Sequence, residues 1–127
     1  MNKLARLMIF GFLALSLSGT VALANTKAPA TMKNNLLVDG KGMTLYSFDK
    51  DVAGDGKSAC AGECTKIWPA FKAGKEEKNT GDFTIISNED GSKQWAYKGK
   101  PLYNFAKDKA PGDKNGDNFK NIWHIVQ

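Results

Sequence analysis

The chain has 127 residues, with 18 Lys and Arg against 13 Asp and Glu, which gives a formal charge of +5. This length predicts one small domain rather than two. The lysines are scattered among aspartates and form no stripe, which argues against a nucleic-acid groove.

Residues 1–24 have the three parts of a cleavable secretory signal peptide. Two basic residues come first, residues 7–15 form an apolar stretch, and Ala22 and Ala24 give the A-x-A pattern that signal peptidase accepts. Serine and glycine interrupt the apolar stretch before it reaches the roughly 18 residues that a spanning helix needs. We therefore expect cleavage between Ala24 and Asn25.

Cleavage would leave 103 residues, and the loss of Lys3 and Arg6 would lower the formal charge from +5 to +3. The product is expected to be periplasmic or secreted, without a nucleic-acid partner and without a membrane span. No cysteine follows the expected cleavage site, so we expect no lipid anchor.

Residues 25–34 are polar and show no period, which predicts a flexible leader before a single domain over residues 35–127. Within that domain, residues 42–51 align with residues 99–108 at one constant offset. A Gly- and Asp-rich loop and an Ile-Trp pair follow each copy. The alignment predicts two repeats, at about 36–71 and 93–126.

Most local patterns indicate strands that are joined by turns rich in Gly, Asn and Asp. The predicted fold class is mainly β: a small antiparallel domain of two pseudo-symmetric repeats, with one short helical turn near the cysteine pair. The helical turn is expected around Cys64 to Ile67, and Pro69 ends it. The strands are expected at residues 36–38, 44–48, 83–87, 94–97, 102–105 and 121–126.

Alternation with period 2 places Tyr46 and Phe48 on one face of their strand and Leu45 on the other. Residues 102–105 repeat this pattern. Both faces carry apolar side chains, so these strands are expected to be covered on both sides.

Cys60 and Cys64 are the only cysteines, and in an oxidising compartment such a pair predicts a disulfide. Residues four apart in a regular helix have β-carbons about 5–6 Å apart, which is too far for a disulfide. We therefore expect a tight turn with Gly62 at its centre. The spacing is one residue longer than C-x-x-C, which favours a structural disulfide over a redox-active one.

Two copies of Y-x-F-x-x-D, at residues 46–51 and 103–108, resemble the signature of a bacterial secreted-repeat family. Its members are often labelled predicted lipoproteins with a Yx(F/W/Y)xxD motif. The cysteine segment up to Pro69, residues 94–103 and the closing Trp123-His124 also resemble that family. The resemblance implies an exported small domain and brings no settled activity. Many relatives carry a lipid-anchor cysteine, which this chain lacks.

The repeated aromatic and acidic residues allow two interpretations. In the first they stabilise a small core, and the aspartates form turns at strand ends. In the second they form a symmetric ligand face. The first is favoured by composition, and the candidate face comprises Tyr46, Phe48, Asp51, Tyr103, Phe105 and Asp108.

No cofactor is predicted, although calcium or a transition metal is an alternative. Weak candidate ligands are Asp108, Asp113 and Asp117 in an acidic loop, together with His124, the only histidine. The loop lacks the spacing of an EF-hand, and transition-metal sites need several ligands.

The chain has no G-x-S-x-G motif and no recognisable catalytic set. The sequence therefore favours a non-enzymatic binding or interaction module, whose partner is an envelope protein or a small molecule. The alternative is a redox or metal-handling protein of the cell envelope that uses Cys60 and Cys64, His124 or the Asp-rich loops.

Overall fold

The computed structural model describes residues 27–127, so the predicted signal peptide lies outside the described residues. Short antiparallel strands dominate this part of the chain, which confirms the predicted mainly β fold. One sheet pairs β1 (Ala30–Lys33) with β2 (Leu36–Asp39), a second pairs β3 (Tyr46–Phe48) with β7 (Trp123–Ile125), and a third orders β4 (Phe83–Ser87), β5 (Lys93–Tyr97) and β6 (Lys100–Pro101).

The helical turn predicted around Cys64 to Ile67 is confirmed as α1 (Cys64–Ile67). Pro69 follows directly after its C-cap Trp68, as expected of a residue that cannot continue a helix. No helix among residues 27–127 has both the length and the apolar character to cross a membrane.

The prediction of a flexible leader over residues 25–34 is wrong for residues 30–33, which form β1. Asn34 and Asn35 connect β1 to β2 as a two-residue loop with φ values of 53° and 66°. Positive φ at both central residues defines a type I′ hairpin turn, for which asparagine is well suited. Three of the four residues of β1 are exposed, so the strand shows no apolar alternation in the sequence.

The predicted hairpin at residues 83–97 is confirmed, with Phe83 paired to Tyr97 and Ser87 to Lys93. The structure does not contain the regular strand predicted at residues 102–105. Regular pairing with β5 ends at Pro101, and Tyr103 instead forms isolated bridges.

The strands predicted at residues 44–48 and 121–126 are both shorter in the structure. Residues 44 and 45 bond back to β2 through a Val38–Thr44 bridge and through Leu45 N–H to Leu37 O, so β3 begins only at Tyr46. The last strand is limited to β7, because residues 118–122 form turns, with φ of 63° at Asn118.

Two buried clusters lie on opposite faces of the central strands, as the alternation predicts. The first, which we call the aromatic core, contains Tyr46, Phe48, Cys60, Trp68, Tyr103, Phe105 and Trp123. The second, which we call the mixed core, contains both aliphatic and aromatic residues: Ala30, Leu37, Leu45, Phe83, Trp95 and Leu102.

The two repeats meet at Tyr46 and Tyr103. Each backbone N–H donates to the carbonyl of the other, at 2.8 and 3.0 Å. This reciprocal pair aligns the repeats antiparallel, so that each faces the equivalent part of the other.

Candidate functional site

The two Y-x-F-x-x-D motifs exchange their hydrogen bonds. Tyr46 Oη donates to Asp108 Oδ2 at 2.6 Å, and Tyr103 Oη donates to Asp51 Oδ2 at 2.7 Å. Each tyrosine therefore bonds to the aspartate of the other repeat. Both phenols are fully buried, and the two carboxylates are 5% and 7% exposed.

Backbone amides satisfy the remaining oxygens of the carboxylates. Asp51 Oδ1 accepts from Ala59 N at 2.6 Å, and Asp108 Oδ1 accepts from Asn115 N at 3.1 Å and from its Nδ2 at 3.0 Å. Burial raises the pKa of Asp51 above its ordinary value, although the Ala59 amide, Tyr103 and a nearby lysine act against this shift. The aspartates thus fix the loops that follow each motif.

Burial also raises the pKa of both phenols well above the ordinary tyrosine value. The hydrogen bond of each tyrosine to its aspartate raises the pKa further, because the carboxylate opposes a second negative charge. Both phenols therefore hold their protons at neutral pH. Gly116 N donates to Tyr46 Oη at 3.2 Å, and Ser58 Oγ lies within hydrogen-bond distance of Tyr103 Oη.

Beside these pairs, four rings stack in a row that we call the aromatic column. Its centre is Trp68 on Trp123, with ring centroids 3.8 Å apart and planes 1° from parallel. Phe48 stacks on Trp123 at 4.0 Å, and Phe105 stacks on Trp68 at 4.2 Å. Each phenylalanine again packs on the tryptophan of the other repeat, so the column is built from both repeats.

The six residues of the candidate ligand face are all in the interior, each at most 7% exposed: Tyr46, Phe48, Asp51, Tyr103, Phe105 and Asp108. Their polar atoms bond to one another and to backbone amides. The structure therefore presents no open face at these positions, and a site for a ligand has to be sought elsewhere.

The disulfide predicted between Cys60 and Cys64 is confirmed, with Cα atoms 5.3 Å apart. Gly62 has φ of 62° in the turn between them, as expected of a residue that permits this conformation. Cys60 is buried in the aromatic core, and Cys64 begins α1.

The disulfide loop forms one wall of an open groove of about 810 Å³, which we call the cystine groove. Its other wall is the tip of the β4–β5 hairpin, residues 87–90. Small residues dominate the first wall, and the second carries the carboxylates of Glu89 and Asp90. Lys57 lies at the edge of the first wall.

Asn88 lines this groove and also carries a buried oxygen that has no hydrogen-bond partner. Its Nδ2 donates to Gln94 Oε1 at 3.0 Å, and Gln94 Nε2 in turn donates to Leu102 O at 2.8 Å, which fixes the orientation of both amides. Asn88 Oδ1 then has no partner, and among residues 27–127 it is the one buried side-chain polar atom in this state. Buried polar groups are nearly always hydrogen-bonded, so this oxygen calls for an explanation.

Sequence reasoning missed Ser58 and Asn88 as site residues. Ser58 adjoins the disulfide loop, and Asn88 opens a turn of the type Asn-Glu-Asp-Gly, so both have ordinary roles in turns. No pattern in the sequence shows that the two loops meet.

The acidic loop uses its carboxylates as internal anchors. Asp113 Oδ2 accepts from Lys109 N and Ala110 N at 2.8 and 3.0 Å, which lowers the pKa of Asp113. Asp117 Oδ1 accepts from Ile125 N at 3.1 Å. These bonds fix the conformation of the loop and attach it to β7.

His124 is the middle residue of β7 and contacts Asn118, which directly follows Asp117 of that loop. Its Nε2 is 2.9 Å from Asp49 Oδ2, and its Nδ1 is 3.1 Å from Asn118 Oδ1. Over residues 27–127, the His, Cys, Asp and Glu side chains form no group of three or more that is arranged to hold a metal ion.

The profile of a family described as "Lipoprotein_15: Secreted repeat of unknown function" matches residues 33–72 and 84–127. The chain belongs to this secreted-repeat family. The two matches correspond to the two predicted repeats, and the second begins at residue 84, which adds the β4–β5 hairpin to it. No curated protein and no solved structure matches the chain.

Proposed function

We propose that this member of the secreted-repeat family is an exported, non-enzymatic binding module whose ligand site is the cystine groove. The observation that carries the proposal is the groove itself, which lies between the disulfide loop and the hairpin tip and has the carboxylates of Glu89 and Asp90 on one wall.

The proposed ligand is cationic and carries N–H donors, such as an amine or a guanidinium group. Carboxylates only accept hydrogen bonds, so those of Glu89 and Asp90 select a donor. These two carboxylates favour positive charge, and Lys57 is the one cation among the lining residues described for this groove.

A role in catalysis has little support from the same geometry. Ser58 Oγ, a hydroxyl beside the disulfide loop, contacts Tyr103 Oη and the backbone of Cys60. His124 is engaged with Asp49 and Asn118 rather than with a nucleophile. A nucleophile needs a base within hydrogen-bond reach, and neither side chain has that arrangement.

Titration of ¹⁵N-labelled protein with 1,4-diaminobutane, followed by NMR, tests the ligand site. We expect saturable shifts that are confined to residues 57–62 and 87–90, including the Asn88 side-chain amide. Succinate, an anion of the same carbon length, should give none. Shifts spread over the surface, or equal shifts with succinate, would contradict the proposal.

A pair of variants locates the site. Ala61 lies on the groove wall and is exposed, so Ala61→Trp should fill the groove and abolish the shifts. Ala106 is exposed and does not line the groove, so Ala106→Trp should leave them unchanged. A folded Ala61→Trp protein that still binds the diamine would place the ligand elsewhere.

The proposed location is the periplasm or the exterior, after cleavage between Ala24 and Asn25. The description of the family as secreted supports this location. Recovery of the protein from a periplasmic extract, followed by N-terminal sequencing, tests it. Asn25 should be the first residue, and an intact Met1 in that extract would contradict cleavage.

A further inference from the structure

We propose that the two crossed tyrosine–aspartate pairs and the aromatic column form a one-electron redox centre. In this centre a buried tyrosine loses an electron to a one-electron oxidant, a metal complex or an organic radical, while its proton moves to the aspartate. This activity is independent of the binding proposed for the cystine groove.

The chemistry balances within each pair. The O–H bond of Tyr103 breaks, a new O–H bond forms on Asp51 Oδ2, and the electron passes to the oxidant. The products are a neutral tyrosyl radical, a protonated carboxyl and the reduced oxidant. An external one-electron reductant reverses the step, because the proton stays within hydrogen-bond distance of the phenol.

The distances favour proton transfer that accompanies electron loss. Oxidation of a phenol without a base gives a strongly acidic radical cation, which is costly to form in a buried site. The hydrogen bonds of 2.6 and 2.7 Å place a carboxylate in direct contact with each phenolic proton. Neither Asp51 nor Asp108 forms an ion pair among residues 27–127, although Lys100 favours the charged form of Asp51.

The column connects the two pairs. Tyr103 meets Trp123 edge-on at 5.1 Å between ring centroids, Trp123 stacks on Trp68 at 3.8 Å, and Trp68 meets Tyr46 at 5.3 Å. An electron vacancy on either tyrosine can thus reach the other through two tryptophans in contact. Burial of both phenols also prevents the radical from coupling with a tyrosyl radical of another molecule.

The third tyrosine provides an internal control. Tyr97 is half-buried, has Lys98 Nζ 5.3 Å from its ring centroid, and belongs to neither crossed pair. A Tyr97→Phe protein keeps both pairs, whereas a Tyr46→Phe/Tyr103→Phe protein keeps only Tyr97.

Flash oxidation with photogenerated tris(bipyridine)ruthenium(III), followed by optical and EPR spectroscopy, tests the centre. The Tyr97→Phe protein should give a neutral tyrosyl radical whose rate of formation does not change between pH 6 and 8. With only Tyr97 present, the rate should rise with pH, because water and buffer must take the proton, and the radical should decay at least about tenfold faster. Radicals on tryptophan alone, or the same pH profile in both proteins, would overturn the proposal.

The carboxylates are tested in the Tyr97→Phe protein with Asp51→Asn and Asp108→Asn together, which keep the volume and remove the base. Formation of the tyrosyl radical should slow at least about tenfold and become dependent on pH. Circular dichroism should show an unchanged fold, and the single variants replace the double variant if it does not fold. A folded variant that reacts at the original rate would show that the aspartates have only a structural role.

Discussion

The phenol of Tyr46 donates a hydrogen bond to Asp108, which lies 62 residues further along the chain, although Asp51 of its own motif is only five residues away. The same exchange joins Tyr103 to Asp51. A single repeat would therefore hold a buried phenol and a buried carboxylate without their partners. Each repeat needs the other to satisfy its polar groups, which explains why the unit is duplicated within one chain.

The crossed pairing predicts which mutations are coupled. Tyr46→Phe should destabilise the protein by about 1–3 kcal/mol, because Asp108 loses a donor in a buried site. In a double-mutant cycle measured by urea unfolding, Tyr46→Phe and Asp108→Asn should show a coupling of about 0.5–3 kcal/mol. The control cycle pairs Tyr46→Phe with Asp51→Asn and should be nearly additive. The opposite result would mean that each motif is satisfied within its own repeat.

Stability should respond to the titration of Asp51. Its pKa is raised in the folded protein, so the native state binds this proton more tightly than the unfolded chain does. This contribution is complete below the unfolded pKa of about 3.9 and is lost as the pH rises through the folded value. We expect urea unfolding at intervals from pH 3 to 7 to show that the wild-type protein loses this part of its stability as the pH rises, whereas the Asp51→Asn variant does not.

Asp113 provides the control for that experiment, because its pKa is lowered by the amides of Lys109 and Ala110. Its contribution is present above the unfolded pKa and is lost as the pH falls through the folded value. Asp113→Asn should therefore change the pH profile with the opposite sign. Identical profiles for the two variants would contradict both assignments.

The disulfide should make a modest contribution to stability. It links residues four apart, and the loop-entropy relation gives about 2 kcal/mol for so short a loop. Protein reduced with dithiothreitol should remain folded at 25 °C by near-UV circular dichroism and should unfold at lower urea. Complete unfolding on reduction would show that the disulfide holds the aromatic core together.

Gly116 approaches the aromatic column so closely that a methyl group does not fit. A Cβ there would lie 2.6 Å from Trp68 Cη2 and 3.0 Å from Phe105 Cδ2. Gly116→Ala should cost about 1–3 kcal/mol through displaced rings and should weaken the near-UV signal of the stacked tryptophans. Gly40→Ala is the matched control, because a Cβ at Gly40 meets nothing within 4 Å. Equal stability of the two variants would contradict this packing.

Much of the local structure could be predicted because its causes are local. Alternation placed Tyr46 and Leu45 in different cores, turn residues predicted the hairpin at 83–97, and cysteine spacing with Gly62 predicted the disulfide turn. The strand β1 was missed because an exposed edge strand has no apolar period, although Asn34-Asn35 carried the signal of a type I′ turn.

The sequence by itself determined that one unit occurs twice, which residues alternate between two faces, and where the chain turns. It did not determine which aspartate bonds to Tyr46, because the two motifs contain the same residue types and local chemistry does not distinguish Asp51 from Asp108. Only the tertiary structure decided that pairing, since the antiparallel contact of Tyr46 with Tyr103 brings each phenol to the loop of the other repeat. The same contact orders the aromatic column, and long-range packing brings Asn88 to the disulfide loop.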